Sequence, residues 1–157
     1  MRNVVQRAVL EAEPAEAFER LADFSAYPAL APSVIQVEVE EIDPDERGRQ
    51  RFRSGWEVHF RRGILRWVEI DAFEPEARRI EFAQESGDME LLTGNWQIHP
   101  HQAGAEIEFH AQFDLGLPGL EDYLEPVAQR ALEENVREVL VRLFPGARAL
   151  DAVEAEL

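Results

Sequence analysis

The chain has 157 residues, with 32 acidic against 16 basic side chains, a formal charge of -16 and no cysteine. That length suits one domain able to bury about two-thirds of its unfolded surface without disulfides or metal, and the lack of thiols excludes Cys-built zinc sites, thiol nucleophiles and disulfide frameworks. The acidic balance opposes nucleic acid and anionic membrane surfaces as partners, and no apolar run approaches the roughly 18 to 20 residues of a membrane span, so a soluble cytoplasmic protein is expected.

In chain order, residues 3–10 alternate as a first strand, after which Glu13 and Pro14 open a helix with Ala17, Phe18 and Leu21 at helical spacing. Pro28 and Pro32 break the aromatic segment that follows into a short second helix or tight loop, carrying Phe24, Tyr27 and Leu30 inward. Six strands are predicted at 34–42, 49–60, 63–73, 78–86, 89–99 and 104–115, and the short turns between them favour consecutive antiparallel hairpins. Alternation is clearest in Phe52, Ser54, Trp56, Val58, Phe60 and in Ile107, Phe109, Ala111, Phe113, giving the sheet one apolar and one wet face. From 120 to 144, apolar pairs recur every three to four residues, from Tyr123/Leu124 through Val127/Ala128 to Leu143/Phe144, with Asn135 on the same helical face. Pro126 predicts a kink or restart near Glu125. Pro145-Gly146 ends the helix, and the acidic residues 147–157 read as a frayed tail to a domain spanning 1–146.

The segments Ala-Glu-Pro-Ala-Glu-Ala-Phe (12–18), Asp23-Phe-Ser-Ala-Tyr-Pro, Arg66-Trp-Val, Arg79-Ile-Glu-Phe, Gly94-Asn-Trp and Glu134-Asn-Val, in this order of elements, carry a family likeness. The chain resembles the SRPBCC superfamily, and within it the polyketide cyclase/dehydrase (aromatase/cyclase) and coenzyme Q-binding-like group. The resemblance implies an α+β, START-like helix-grip fold, in which a curved seven-stranded antiparallel sheet wraps around the long C-terminal helix and encloses a hydrophobic cavity. Aromatase/cyclases of that group hold a reactive poly-β-ketone there and align it for aldol cyclisation and dehydration. Tyr27, Trp67, Trp96 and Asn135 match cavity positions. Several such cyclases carry a serine and an arginine two and four positions after the strand tryptophan, where this chain has Glu69 and Asp71. A guanidinium steadies an enolate, whereas an ionised carboxylate opposes it.

Period two puts Leu65, Trp67, Glu69, Asp71 and Phe73 on one face of their strand. With the register set by the resemblance, Glu69 and Asp71 both enter the cavity. There, burial and like-charge repulsion would raise one pKa and leave an acid and a base for enolisation or dehydration. The alternatives are a solvent-exposed face, or an ion pair of Asp71 with Arg78 or Arg79. Glu69, Asp71, Asn135 and Tyr27 are thus the candidate catalytic residues, and Phe24, Tyr27, Trp56, Trp67, Trp96 and Asn135 the candidate ligand contacts. The same aromatics suit plain core, and a backbone carbonyl or a buried water would satisfy Asn135 as well as a ligand does. His59, His99, His101 and His110 lie at no metal-ligand spacing, and no phosphate loop or dinucleotide fingerprint occurs, so neither metal nor cofactor is expected.

Two functions fit. One is a cofactor-independent cyclase or dehydratase acting on a hydrophobic polyketide-type molecule, with an acyl carrier protein as the candidate partner that delivers it. The other is a non-catalytic carrier or chaperone for a lipid, quinone or other apolar ligand.

Overall fold

The computed structural model describes residues 1–60, 63–116, 119 and 121–150. Its elements are β1 (Arg2–Leu10), α1 (Pro14–Ala22), a 3-10 turn (Phe24–Ala26), α2 (Tyr27–Leu30), β2 (Val34–Ile42), β3 (Gln50–Phe60), β4 (Gly63–Glu74), β5 (Arg79–Gly87), β6 (Leu91–His101), β7 (Gly104–Asp114), α3 (Glu121–Leu143) and β8 (Arg148–Leu150). The strands form one antiparallel sheet in the order β2-β3-β4-β5-β6-β7-β1-β8. This is the START-like helix-grip arrangement, with α3 packed on β1 and on α2.

Alternation fixes which face of each strand turns inward. On β7 it is unbroken: Ala105, Ile107, Phe109, Ala111 and Phe113 are buried and every residue between them is half exposed. The outer face holds charged cross-strand pairs instead, such as Arg53 with Glu85 at 3.0 Å and Arg7 with Glu108 at 2.8 Å. Helix α1 begins at Pro14, whose absent N–H would have no partner in a first turn, and buries Ala17, Phe18 and Leu21.

Three sequence expectations are corrected. The sheet has eight strands rather than seven, because Arg148–Leu150, within the expected frayed tail, pairs with Arg7–Val9 along what would be the open edge of β1. Residues 151–157 lie outside the described residues, as do Arg61 and Arg62 of the expected turn. Helix α3 runs through Pro126 as one element, so of the expected kink or restart the restart does not occur. Its apolar face is buried only from Ala128 onward: Ala128, Val139, Leu140 and Leu143 are enclosed, while Tyr123, Leu124 and Val127 are 78%, 39% and 38% exposed. Periodicity identifies residues that share a helix face, but not whether a partner lies opposite each turn of it.

Candidate functional site

Between α3 and the inner face of the sheet lies a cavity of about 100 Å³, walled by Val4, Tyr27, Trp56, Phe82, Trp96, Phe109 and the Leu132, Val136 and Val139 face of α3. Against these apolar walls the polar groups are few: Glu69, Ser33 and Asn135. Such a lining disfavours buried charge and offers hydrogen bonds at only a few places.

Glu69 is positioned by β4 and by an irregularity next to it. Val68 pairs with Ser86 but Glu69 pairs with Gln84, so β5 carries the extra residue, Glu85, and β4 keeps its period of two. Gly87 closes this bulge at a φ of 151°, and a Cβ there would lie 2.5 Å from the Cβ of Trp67. Only glycine lets β5 approach Trp67 so closely. Trp67 faces Trp56 across β3 and β4, the two indoles stacked 5.9 Å apart and 5° from parallel.

Below the stacked indoles the two strands carry a hydrogen-bonded ladder. Trp67 Nε1 donates to Glu69 Oε1 at 2.7 Å, and Trp56 Nε1 donates to Ser54 Oγ at 2.9 Å. Ser54 in turn donates to Asp71 Oδ2 at 2.5 Å. Ser54 and Asp71 are fully buried, and Glu69 is nearly so. The other oxygen of Asp71, Oδ1, is buried without a donor unless the Glu69 carboxyl carries a proton.

Electrostatics agree with that assignment. Burial, then the charge of Asp71, then the hydrogen bond it gives to Asp71 hold the Glu69 carboxyl well above the usual range, against a smaller opposing pull from the Trp67 N–H. Burial also raises Asp71, but the hydrogen bonds from Glu69 and Ser54 pull it back down. No cation enters either balance. Like charge and burial oppose ionisation of both carboxyls together, and of the two Glu69 is held the higher.

The inward reading of the Glu69 and Asp71 face thus holds, and the exposed-face and Arg78/Arg79 alternatives do not. One part is corrected. Glu69 lines the cavity, whereas Asp71 lies behind it, reached only through Glu69 and Ser54. Tyr27, Trp56, Trp67, Trp96 and Asn135 line the cavity as well. Phe24 does not, since its ring packs edge-on against Tyr27, Trp56 and Phe73. Tyr27 presents its ring to the cavity but donates its hydroxyl to the Leu21 carbonyl at 2.5 Å. Burial pushes its phenol well above the usual value, and Glu69, Asp71 and Asp23 add to this once they are ionised, so it stays neutral. Asn135 is half-buried and its Nδ2 donates to the His59 carbonyl at 2.9 Å, the backbone alternative for that amide.

Sequence reasoning passed over two residues, Ser54 and Ser33. Ser54 stood on the inward face of an otherwise apolar strand, and a hydroxyl among Phe52, Trp56 and Val58 was the available signal. Ser33 precedes β2 in a Pro-rich segment and carried none. Among the described residues, no three His, Asp or Glu side chains gather as a metal site, and no helix is long and apolar enough to cross a membrane.

A family model for polyketide cyclase/dehydrase and lipid transport matches residues 10–140. No curated protein matches the chain. Among solved structures, TTHA0849 from Thermus thermophilus superposes with a TM-score of 0.77 at 22% identity, over 90% of this chain and 94% of that one. The Zhui aromatase/cyclase from a Streptomyces species, strain R1128, gives 0.74 at 21% identity, over 90% of each chain. A START superfamily protein from Mycobacterium smegmatis gives 0.69 at 16%, over 88% and 93%. At these identities the likeness is one of fold.

Proposed function

Because the chain belongs to the polyketide cyclase/dehydrase and lipid transport family, we propose that it is a cofactor-independent cyclase or dehydratase for an uncharged polyketide-type ketone, with Glu69 as the proton donor. The observation that carries this reading is the Glu69 carboxyl on the wall of an apolar cavity, where burial and the Asp71 carboxyl beside it favour its protonated form. A carboxyl held neutral in an apolar site can hydrogen-bond a ketone oxygen while the activated α-C–H of a β-ketone passes its proton to water, or give its proton to a hydroxyl that leaves as water and then, as the carboxylate, take the α-proton. Full loss of that proton would put two anions side by side, which favours its return and resets the site. Glu69 thereby takes the place of the cationic enolate partner that the matching position lacks. Asp71 is the positioning residue, with no contact to the cavity contents. The aromatic walls and the helix face supply fit and exclude water.

The cavity as it stands is small. It falls below the roughly 300–1,000 Å³ of sites that enclose drug-sized ligands, and is closer to the ~150 Å³ that accepts benzene. A substrate longer than one ring enters by displacing the walls. Glu69→Gln keeps the shape and removes the proton, so turnover of a reactive β-ketone should fall about 10²-fold or more while ligand affinity changes little. Undiminished turnover would sink the assignment. The apolar lining supports the carrier reading equally, and that reading gains if a ligand binds near-stoichiometrically with no product formed.

A further inference from the structure

The outer face of the sheet, turned away from the cavity, carries a second concavity, defined by three cross-strand rows. In the middle row Glu38 pairs with Gly55, Gly55 with Val68, and Val68 with Ser86. The row on one side holds Glu57 opposite Arg66, bonded at 3.2 Å, with Asp88 accepting the Arg66 backbone N–H at 2.8 Å. The row on the other side holds Arg53, bonded to Glu85 at 3.0 Å and lying 3.6 Å from Glu40. Between these long charged side chains the short ones leave a trough of about 290 Å³, open to solvent and floored by Gly55 and Val68. Gly55 is its most informative residue. At Gly87 and Gly94 a Cβ would strike neighbouring atoms, but Gly55 has an ordinary φ, and a Cβ there would meet only Val68 Cγ2, at 3.9 Å. Glycine inside a strand costs stability, so the fold alone would be better served by a side chain. Its absence leaves room for something else to lie against the strand. Charge indicates the kind of partner. Three carboxylates, Glu38, Glu57 and Asp88, line the trough against one guanidinium, Arg66, which Glu57 already holds. Glu38 accepts a hydrogen bond from Gln36 at 2.7 Å, and among the described residues no cation pairs with it or with Asp88.

We propose that this trough seats an extended, arginine-bearing segment of a partner protein, with a guanidinium on Glu38 and its aliphatic stem over Gly55 and Val68. Arginine suits both parts of the site, because its planar fork matches a carboxylate and its stem covers apolar surface. Length follows from the topology. The trough crosses β2, β3, β4 and β5, three gaps of ~4.8 Å, or about 14 Å, which is the reach of about four extended residues. The formal charge of -16 draws a basic segment toward the protein as a whole, and the trough gives that segment a place to seat. None of Glu38, Gly55, Glu57, Arg66, Val68 and Asp88 lines the cavity, so the inference stands apart from the reaction proposed there.

The test is fluorescence anisotropy, at about 20 mM salt so that surface charge is weakly screened, with a fluorescein-labelled peptide Gly-Val-Arg-Val-Arg-Gly and its counterpart carrying glutamate in place of arginine. Wild type should bind the arginine peptide and not the glutamate one. Gly55→Val puts a side chain into the trough and should weaken binding about tenfold, while Glu38→Gln removes one charge, keeps the shape and should weaken it about threefold. Gly55→Val should unfold at the same urea concentration as wild type or a higher one, since a branched side chain suits a strand and has space there, so a folding defect does not imitate the loss. Equal binding by wild type and Gly55→Val overturns the trough as the seat and reduces the attraction to the acidic chain in general. Absence of binding to wild type overturns it as well, and neither result bears on Glu69 or the cavity.

Discussion

Replacing Glu69 by Gln tests the neutral carboxyl through stability, independently of any substrate. Burial first, and the Asp71 charge second, hold the folded-state pKa well above its ordinary value near 4.5. Between those two values the folded protein keeps a proton that the unfolded chain has released. Stability from this group is therefore fully present below the unfolded carboxylate range and is lost as pH rises, until Glu69 itself ionises. The loss runs at about 1.4 kcal/mol per pH unit. Gln accepts the Trp67 indole proton through its carbonyl and offers an N–H to Asp71, so both bonds of the native side chain persist without a titrating proton. The variant should thus gain on wild type by about 1.4 kcal/mol for each unit above the unfolded carboxylate range. Asp71 titrates in both proteins and contributes little to the difference. Urea unfolding read by tryptophan fluorescence from about pH 5 to about pH 8 measures it, and the pH at which the gap stops growing reports where Glu69 ionises. Two parallel stability curves would refute the reasoning, because they would mean that Glu69 ionises in the folded protein as it does in the unfolded chain.

Asp71→Asn removes the like charge behind Glu69 but not its burial, so the alkaline limb of a pH–rate profile, where the proton donor is lost, should move to lower pH without reaching the range of an exposed carboxylate. Tyr27→Phe leaves the Leu21 carbonyl without its donor and should cost about 1–3 kcal/mol in urea unfolding, with turnover per folded molecule nearly unchanged. A large loss of turnover in a stable Tyr27→Phe protein would instead give the hydroxyl a part in the chemistry. Gly94→Ala should destabilise by about 1–3 kcal/mol on the same assay, because a Cβ there would run into the His110 carbonyl and lie 2.7 Å from the Phe82 ring, which stacks on Phe109 beside it.

Faces were legible in the sequence and partners were not. Period two placed Glu69 and Asp71 inward correctly because the bulge beside them adds its residue to β5 and leaves β4 in step. It could not say that Ser54 on β3 would meet Asp71 on the next strand, since that contact is diagonal and depends on register, which alternation leaves open. Helical periodicity failed in the same way at Tyr123, Leu124 and Val127, where the apolar face continues past the part that is covered. Strand β8 escaped for a different reason. Three residues give no period to detect, and the acidic run after them dominated the reading of residues 147–157. Asn135 shows the limit of reasoning from residue type, because its position was readable but its bond to the His59 carbonyl depends on how close α3 comes to the end of β3.

On the proposed reading, the carboxyl pair offers by a proton what a guanidinium at the matching position would offer by charge. A guanidinium supplies fixed charge to a forming enolate at any ordinary pH, whereas a neutral carboxyl supplies a proton and works only while it holds one. Burial is the largest effect favouring that proton, and the Asp71 charge adds to it against the smaller pull of the Trp67 indole. Trp67 donates to Glu69, and on its own that bond favours the ionised form. The Asp71 charge opposes it, and Ser54, backed by Trp56, holds Asp71 in place with a hydrogen bond that favours its ionised form against burial. Trp56 and Trp67 therefore do more than line the cavity: each orients one member of the pair, and substitution of either indole by a ring without an N–H would alter the acidity of Glu69 as well as the shape of the space in front of it.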